Sequence, residues 1–323
     1  MAWLLRLQNF WARPMADKAL FKRLTLIGIG LIGSSIARRV QADGLVDELV
    51  ICTRREATLS RAEELGLGDR YVLDAAEAVA DADCVILCSP VGTCGAIAKT
   101  ISAHLSDGAI VTDVGSVKAS VIEQMAPHMP ASAHLVPGHP IAGTEYSGPD
   151  AGFASLFDNR FTVLTPPKGT DAQAIGTLTR FWQALGANVE TMDAEHHDLV
   201  LAVTSHIPHL IAYNIVGTAS DLEEVTESEV MKFSAGGFRD FTRIAASDPV
   251  MWRDVFLHNK SAVLEILGRF SEDLSRLQRA VRWGDGDLLF DHFQRTRSIR
   301  QGIIEAGQET DAPNFGRDEG PEE

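Results

Sequence analysis

No unbroken run of about 18 apolar residues occurs in the chain, so no transmembrane helix is expected. Basic residues are scarce: 29 Lys and Arg stand against 44 Asp and Glu, a formal net charge of −15. That balance argues against nucleic acid or an anionic membrane surface as the main partner. A small anionic ligand stays open, because a few local arginines can dominate one pocket. Cysteine is limited to Cys52, Cys84, Cys88 and Cys94, whose spacing fits no zinc pattern, so no metal site is expected. Reduced thiols and a cytoplasmic location are the simplest reading. The opening MAWLLRLQNFWARP lacks the order of a signal peptide, since an arginine interrupts its short apolar part. Residues 1–20 are therefore read as an extension, with Met15 an alternative start. No internal repeat is evident.

What is present suits a soluble two-domain protein: 323 residues, 45% apolar and 23% charged. Short apolar runs (Leu24–Ile29, Glu48–Cys52, Cys84–Cys88, Ala109–Asp113, His134–Val136) alternate with helical patterns (Ser34–Ala42, Glu56–Leu65, Thr93–His104, Val117–Met125). This alternation predicts βαβ units and a doubly wound, mostly parallel sheet: an α/β Rossmann domain over 21–192. One more β-like run, Asn188–Met192, precedes an all-helical domain over 193–304. There Asp193–Ala219 reads as one long helix. Met251–Val281 reads as another, with Leu264, Leu267, Phe270, Leu274, Leu277 and Val281 forming a stripe for a core or a subunit interface. The acidic, Gly- and Pro-containing segment 305–323 is expected to be disordered.

Gly28-Ile29-Gly30-Leu31-Ile32-Gly33 follows a strand and opens a helix, the context that gives a GxGxxG pattern meaning. Gly28 permits the tight turn, Gly30 lets backbone approach a pyrophosphate, and Gly33 permits close helix–strand packing. The phosphates would meet the N–H groups of the helix N-terminus. A carboxylate at the end of the second strand would favour NAD, but Thr53-Arg54-Arg55 stands there instead. Two guanidiniums suit a 2′-phosphate, so NADP is favoured over NAD. Glu56 is the weaker carboxylate candidate. Ser89, Pro90, Asp113 and Ser116, at the ends of later strands, are assigned to the cofactor as well.

Four further motifs lie at strand ends or in the helical half: Thr112-Asp113-Val114-Gly115-Ser116-Val117-Lys118; Gly138-His139-Pro140-Ile141-Ala142-Gly143-Thr144-Glu145; Thr204-Ser205-His206-Ile207-Pro208-His209; and Gly236-Gly237-Phe238-Arg239-Asp240-Phe241-Thr242-Arg243 with Asp248-Pro249-Val250-Met251-Trp252-Arg253. VTDVGSVK, GHPIAGTE, HDLVLAVTSHIPH and the FRDFTRIA segment, in this order from about Phe21 to Arg300, resemble the prephenate/arogenate dehydrogenase family of tyrosine biosynthesis.

The resemblance implies an N-terminal Rossmann domain and a helical domain that dimerises. It also implies oxidation of the ring 4-hydroxyl of prephenate or arogenate by NAD or NADP, with release of CO₂. On it, His139 hydrogen-bonds the 4-hydroxyl, a role that suits histidine's ordinary pKa. Ser116 touches His139 and the nicotinamide, or caps a helix, or both. Ser205 and His209, four apart on one helix face, are placed at the substrate, with a satisfied structural role the alternative for His209. His206 reads as a core histidine, and Pro208 invites a kink. Arg243 is the expected carboxylate clamp, oriented by Asp240; an ion pair to Asp240 or Glu145 is the other reading. Trp252 is core or pocket wall, Glu145 a gate or an amine ligand, and Lys118 an aid to phosphate or carboxylate binding.

Two rivals remain at this level: another NAD(P)-dependent hydroxyacid dehydrogenase, and a non-catalytic dinucleotide sensor. No chorismate mutase segment and no regulatory domain are expected, which would confine any tyrosine feedback to the active site or dimer interface.

Overall fold

In the first strand, FKRLTLI, β-branched and leucine side chains alternate between two faces, and both faces are covered. A computed structural model describes residues 19–144, 146–222 and 235–305. The extension through residue 18, Glu145 and the tail from 306 lie outside the described residues. The N-terminal elements are β1 (Phe21–Ile27), α1 (Leu31–Asp43), β2 (Val46–Cys52), α2 (Glu56–Glu64), β3 (Arg70–Val72), α3 (Ala75–Ala78), β4 (Cys84–Leu87), α4 (Cys94–Ile101), β5 (Ile110–Asp113), α5 (Ala119–Met125) and β6 (His134–Leu135).

The strands form one parallel sheet in the order β3-β2-β1-β4-β5-β6, the doubly wound sheet expected from the sequence. Alternate residues feed two cores. Leu24, Leu26, Leu49, Ile51, Cys84 and Ile86 pack with Ile36, Val40 and Trp182 on one face. Ile27, Val50, Cys52, Val85, Leu87 and Val111 pack with Ala98, Val121 and Trp252 on the other. A strand buried on both faces must be apolar throughout, which is why these runs stand out in the sequence.

A second sheet follows: β7 (Gly138–Pro140), β8 (Phe161–Leu164) and, after α6 (Ala172–Ala184), β9 (Asn188–Thr191). β7 runs antiparallel to β8, and β8 parallel to β9. The β-like run at 188–192 thus joins a separate three-stranded sheet. β3, β7 and β8 were not expected. Gly-His-Pro has poor strand propensity and becomes β7 only by pairing with β8.

The helical part comprises α7 (Ala194–Leu201), a π-helical turn (Ala202–His206), α8 (Ile207–Asp221), α9 (Gly236–Thr242), α10 (Pro249–His258), α11 (Lys260–Trp283) and α12 (Gly286–Glu305). The helix expected from Asp193 to Ala219 is present, capped by the Asp193 carboxylate, but it widens into a π turn just before Pro208. The helix expected over Met251–Val281 is broken at Asn259, whose φ of −106° and ψ of 35° leave the helical region. Asn259 is buried, and its amide serves groups on α7 and in the π turn rather than continuing a helix surface.

Two units emerge by compactness, one through Val263 and one from Leu264. The first includes α10, whose Trp252 and Val255 belong to a core of the parallel sheet. In the second unit, Leu264, Leu274, Val281, Trp283, Phe290 and Phe293 are exposed. Contrary to expectation, Ala194–Asp221 is long and apolar enough to cross a membrane by length and composition alone. Its histidines, serines and threonines break the apolar run without adding charge. Within the first unit 28% of that apolar stretch is buried, and near its start His197 and Asp198 are buried and hydrogen-bonded to other elements.

One buried ion pair fixes the junction of the two sheets. Lys118, fully buried, places Nζ on Asp113 Oδ2 and donates to the Gly138 carbonyl at 2.7 Å. Asp113 accepts in addition from the amides of Gly115 (2.7 Å) and Gly138 (3.3 Å). The end of β5 is thereby tied to the start of β7. Lys118→Ala would strand a buried carboxylate and is expected to cost about 3–5 kcal/mol, read from the urea unfolding midpoint. A loss below about 1 kcal/mol, the range of an exposed pair, would show that water reaches the carboxylate.

Candidate active site

The carboxyl ends of β1, β2, β4 and β5 carry the residues assigned to the cofactor. Gly28 has φ +104°, a conformation glycine tolerates, and a Cβ there would strike the Cys88 carbonyl oxygen. A Cβ at Gly33 would meet the Gly28 carbonyl oxygen at 2.5 Å, so this glycine lets α1 sit close to β1. At Gly30, by contrast, a Cβ would find nothing within 4 Å. That open space is where a pyrophosphate needs to approach backbone. The first turn of α1, with Ile29, Leu31 and Ile32 around it, carries no capping side chain and no acidic residue. The loop therefore fits a dinucleotide phosphate bridge.

At the end of β2, the Thr53 amide donates to the Val72 carbonyl, and Arg54 and Arg55 are exposed. Neither arginine forms an ion pair with a described residue. Glu56, also exposed, opens α2. Ser89 and Pro90 follow β4, and Ser89 Oγ accepts from Thr93 Oγ1 at 3.0 Å. Asp113 has a different task from the one expected: its carboxylate is occupied by Lys118 and two amides and is 1% exposed. Lys118 likewise has no face left for phosphate or substrate, because every neighbour of its ammonium is internal.

His139 lies on β7, paired with Val163, and is 7% exposed. Its Nδ1 is 2.9 Å from Nε2 of His197, a fully buried residue of α7. Nδ1 of His197 is in turn 2.8 Å from Oδ1 of Asp198. Asp198 also accepts the Lys118 amide (2.7 Å) and the Ala119 amide (3.0 Å), so one carboxylate on α7 caps the start of α5. Ser116 is not that helix's cap, since α5 begins at Ala119 after Lys118. Burial holds the His139 pKa well below 6.5, and the neighbouring His197, Lys118 and His206 lower it further. A neutral imidazole is the form that accepts a proton.

His206, in the π turn, is fully buried beside the Ser116 backbone, and burial lowers its pKa to about 4. The Asn259 amide donates both to the Asp198 carbonyl (2.8 Å) and to Nδ1 of His206 (3.0 Å). His206 is thus a core residue held through Nδ1, while its buried Nε2 has no hydrogen-bond partner among the described residues. One turn on, His209 donates from Nδ1 to the Ser205 carbonyl at 2.9 Å and stacks on Trp252, centroids 3.6 Å apart and planes 23° apart. Trp252 is 6% exposed and joins a core cluster, the core reading of the two expected. Burial lowers the His209 pKa, and the Arg243 guanidinium adds to that lowering, which brings Arg243 to the same locality. Asp240 is exposed and pairs with no described residue, so it does not orient Arg243 as expected. Glu145 lies outside the described residues.

The structure therefore gathers His139, Ser116, Ser205, His209, Trp252 and Arg243 beyond the strand ends of the first unit. It adds two residues that the sequence reading quoted only inside a motif, His197 and Asp198. Their signal was a histidine–aspartate pair in an otherwise apolar helix.

The matches to known proteins agree with this geometry. Residues 36–191 match the model for the prephenate dehydrogenase nucleotide-binding domain, and 193–295 that for the prephenate dehydrogenase dimerization domain. The chain is 44% identical over 280 residues to a cyclohexadienyl dehydrogenase of Zymomonas mobilis, covering 87% of this chain and 95% of that one. It is 33% identical over 281 residues to a prephenate dehydrogenase of Bacillus subtilis, covering 87% and 76%. Among solved structures, Aquifex aeolicus prephenate dehydrogenase in complex with hydroxyphenyl propionate and NAD+ superposes with a TM-score of 0.81 at 35% identity, covering 87% of this chain and 98% of that one. With two family models spanning most of its length and the fold of its solved relatives, this chain belongs to the prephenate dehydrogenase family of nicotinamide-dinucleotide-dependent oxidoreductases.

Proposed function

We propose that this chain oxidatively decarboxylates prephenate, and arogenate beside it, with NADP preferred over NAD, in the cytoplasm and as a homodimer. The observation that carries the chemistry is His139: a buried ring kept neutral by its surroundings, with Nδ1 held by His197 and Nε2 left without a partner among the described residues. The hydroxyl proton passes to Nε2 while hydride leaves the same carbon. A bound dinucleotide supplies the hydride acceptor. The electron pair of the C–CO₂⁻ bond then completes the aromatic ring, CO₂ departs, and Nε2 returns the proton to the ring oxygen. The protein's work is orientation, proton transfer and charge matching.

Arg243 is the cation for one of the two substrate carboxylates, and its place beside His209 and Trp252 supports that role. Ser116 is assigned to the hydroxyl and nicotinamide. Ser205 and His209 are assigned to the substrate, and Glu145 to the gating or amine-binding role expected from the sequence. The exposed guanidiniums of Arg54 and Arg55 at the end of β2 support the NADP preference. Four free cysteines suit a reducing compartment.

His139→Asn is expected to lower kcat by roughly 10²–10⁴-fold while dinucleotide affinity stays the same. A non-catalytic sensor would lose nothing. Because burial depresses the His139 pKa, its neutral form persists as pH falls below 6.5, so the acid limb of kcat/KM should lie below that value. An acid limb above it would contradict His139 as the base.

Initial rates with prephenate and arogenate, each with NAD and NADP, test the remaining assignments. NADP should give the higher kcat/KM, Arg54→Ser with Arg55→Ser should erase that preference, and Arg243→Ala should raise the substrate KM by roughly 10–100-fold. Higher rates with NAD would reverse the cofactor assignment.

The apolar side chains exposed on α11 and α12 of the second unit support a subunit interface. Sedimentation velocity should give twice the chain mass, 35.0 kDa for one copy; a monomer at micromolar concentration would refute the dimer.

A further inference from the structure

We propose that His197 and Asp198 are positioning residues that fix the tautomer of His139, so that its catalytic nitrogen faces substrate as a lone pair. This rests on His139 being the proton acceptor, as argued above, and concerns how the protein prepares it. An ionised carboxylate has no proton to give. At 2.8 Å from Asp198 Oδ1, Nδ1 of His197 must therefore carry the hydrogen. In the neutral ring this leaves Nε2 of His197 as an acceptor, and its hydrogen-bond partner among the described residues is Nδ1 of His139, at 2.9 Å. Nδ1 of His139 must then be the donor, and the lone pair falls on Nε2, the atom with no partner among the described residues.

The supports of this chain of bonds are as fixed as its members. His197 is 0% exposed and Asp198 4%. Asp198 is held by the Lys118 and Ala119 amides of α5, and its own carbonyl by the Asn259 amide. The two imidazoles meet edge to face, centroids 5.1 Å apart and planes 72° apart, which points one ring nitrogen at the other. From the sheet side, the Lys118 ammonium clamps the Gly138 carbonyl next to His139. The titratable groups facing the pair are Lys118, His206 and Asp198, and the first two are themselves held by internal hydrogen bonds.

When Nε2 takes the hydroxyl proton, the new N–H bond replaces the O–H bond. The imidazolium then donates through Nδ1 to a ring already anchored on a carboxylate. No other group changes its covalent state, and the proton leaves by the nitrogen through which it entered. Such an arrangement serves a reaction that must give the proton back.

Two measurements test the assignment. In the full-length protein with ¹⁵N-histidine labelling, the His139 signals, identified by their absence in His139→Asn, should show Nδ1 protonated and Nε2 unprotonated at neutral pH. The reverse tautomer, or a doubly protonated His197 donating to His139, would overturn the proposal even if His139→Asn is inactive. If His139→Asn instead keeps full turnover, the function reading itself fails, whichever tautomer is seen. In kinetics, His197→Leu should lower kcat by about 10²-fold at unchanged dinucleotide affinity, whereas His197→Gln, whose side-chain oxygen can stand where Nε2 stood, should recover most of it. Equal loss in both variants, or no loss in His197→Leu, would count against tautomer control. Should either variant fail to fold, the ¹⁵N measurement on the wild-type protein decides alone.

Discussion

The arrangement of the site depends on two carboxylates that never meet solvent. Asp113 at the end of β5 and Asp198 on α7 are both nearly inaccessible, and each is surrounded by donors. Asp113 takes the Lys118 ammonium and two amides; Asp198 takes two amides of the following turn and the His197 ring. Residues 113–119 lie between these anchors, so the loop that carries Ser116 is held at both ends. Buried pairs of this kind add little net stability, because desolvation offsets their attraction. Their consequence here is geometric.

That geometry joins two sheets and a helix that would otherwise have no common reference. Lys118 grips the carbonyl next to His139, while His197 grips the ring itself. A histidine held at both its backbone and its ring has little conformational freedom to lose. The low dielectric that this burial creates also keeps His139 neutral, so one structural fact supplies both position and protonation state.

The helical run from Ala194 to Asp221 shows how a functional helix departs from regularity. Pro208 cannot donate an amide, and a π turn, Ala202–His206, precedes it. This turn holds Ser205 and His206, and His209 follows on the next turn, stacked on Trp252. The same run carries Asp198 and His197 inward at its start. An apolar helix with polar side chains at the points of contact resembles a membrane span in composition, yet here His197 and Asp198 are buried and hydrogen-bonded within the fold.

The sequence by itself determined the parallel sheet, since strands buried on both faces must be continuously apolar and the helices between them amphipathic. It also determined the glycine loop, because no other residue meets the backbone demands at Gly28 and Gly33, and the ordered motifs that hold His139, His209 and Arg243. It did not reveal β7, whose Gly-His-Pro becomes a strand only through its partner β8, nor the break at Asn259, whose side chain is engaged by residues more than fifty positions away. It misassigned Asp113, whose carboxylate reads as a ligand until the fold turns Lys118, five positions on, and the amides of Gly115 and Gly138 toward it. The link from Asp198 through His197 to His139 spans 59 positions of chain, 139 to 198, and exists only in three dimensions. Local patterns are dictated by periodicity and backbone sterics, which act between near neighbours. Hydrogen-bond partners and the protonation states they impose depend on which buried groups the tertiary fold brings face to face.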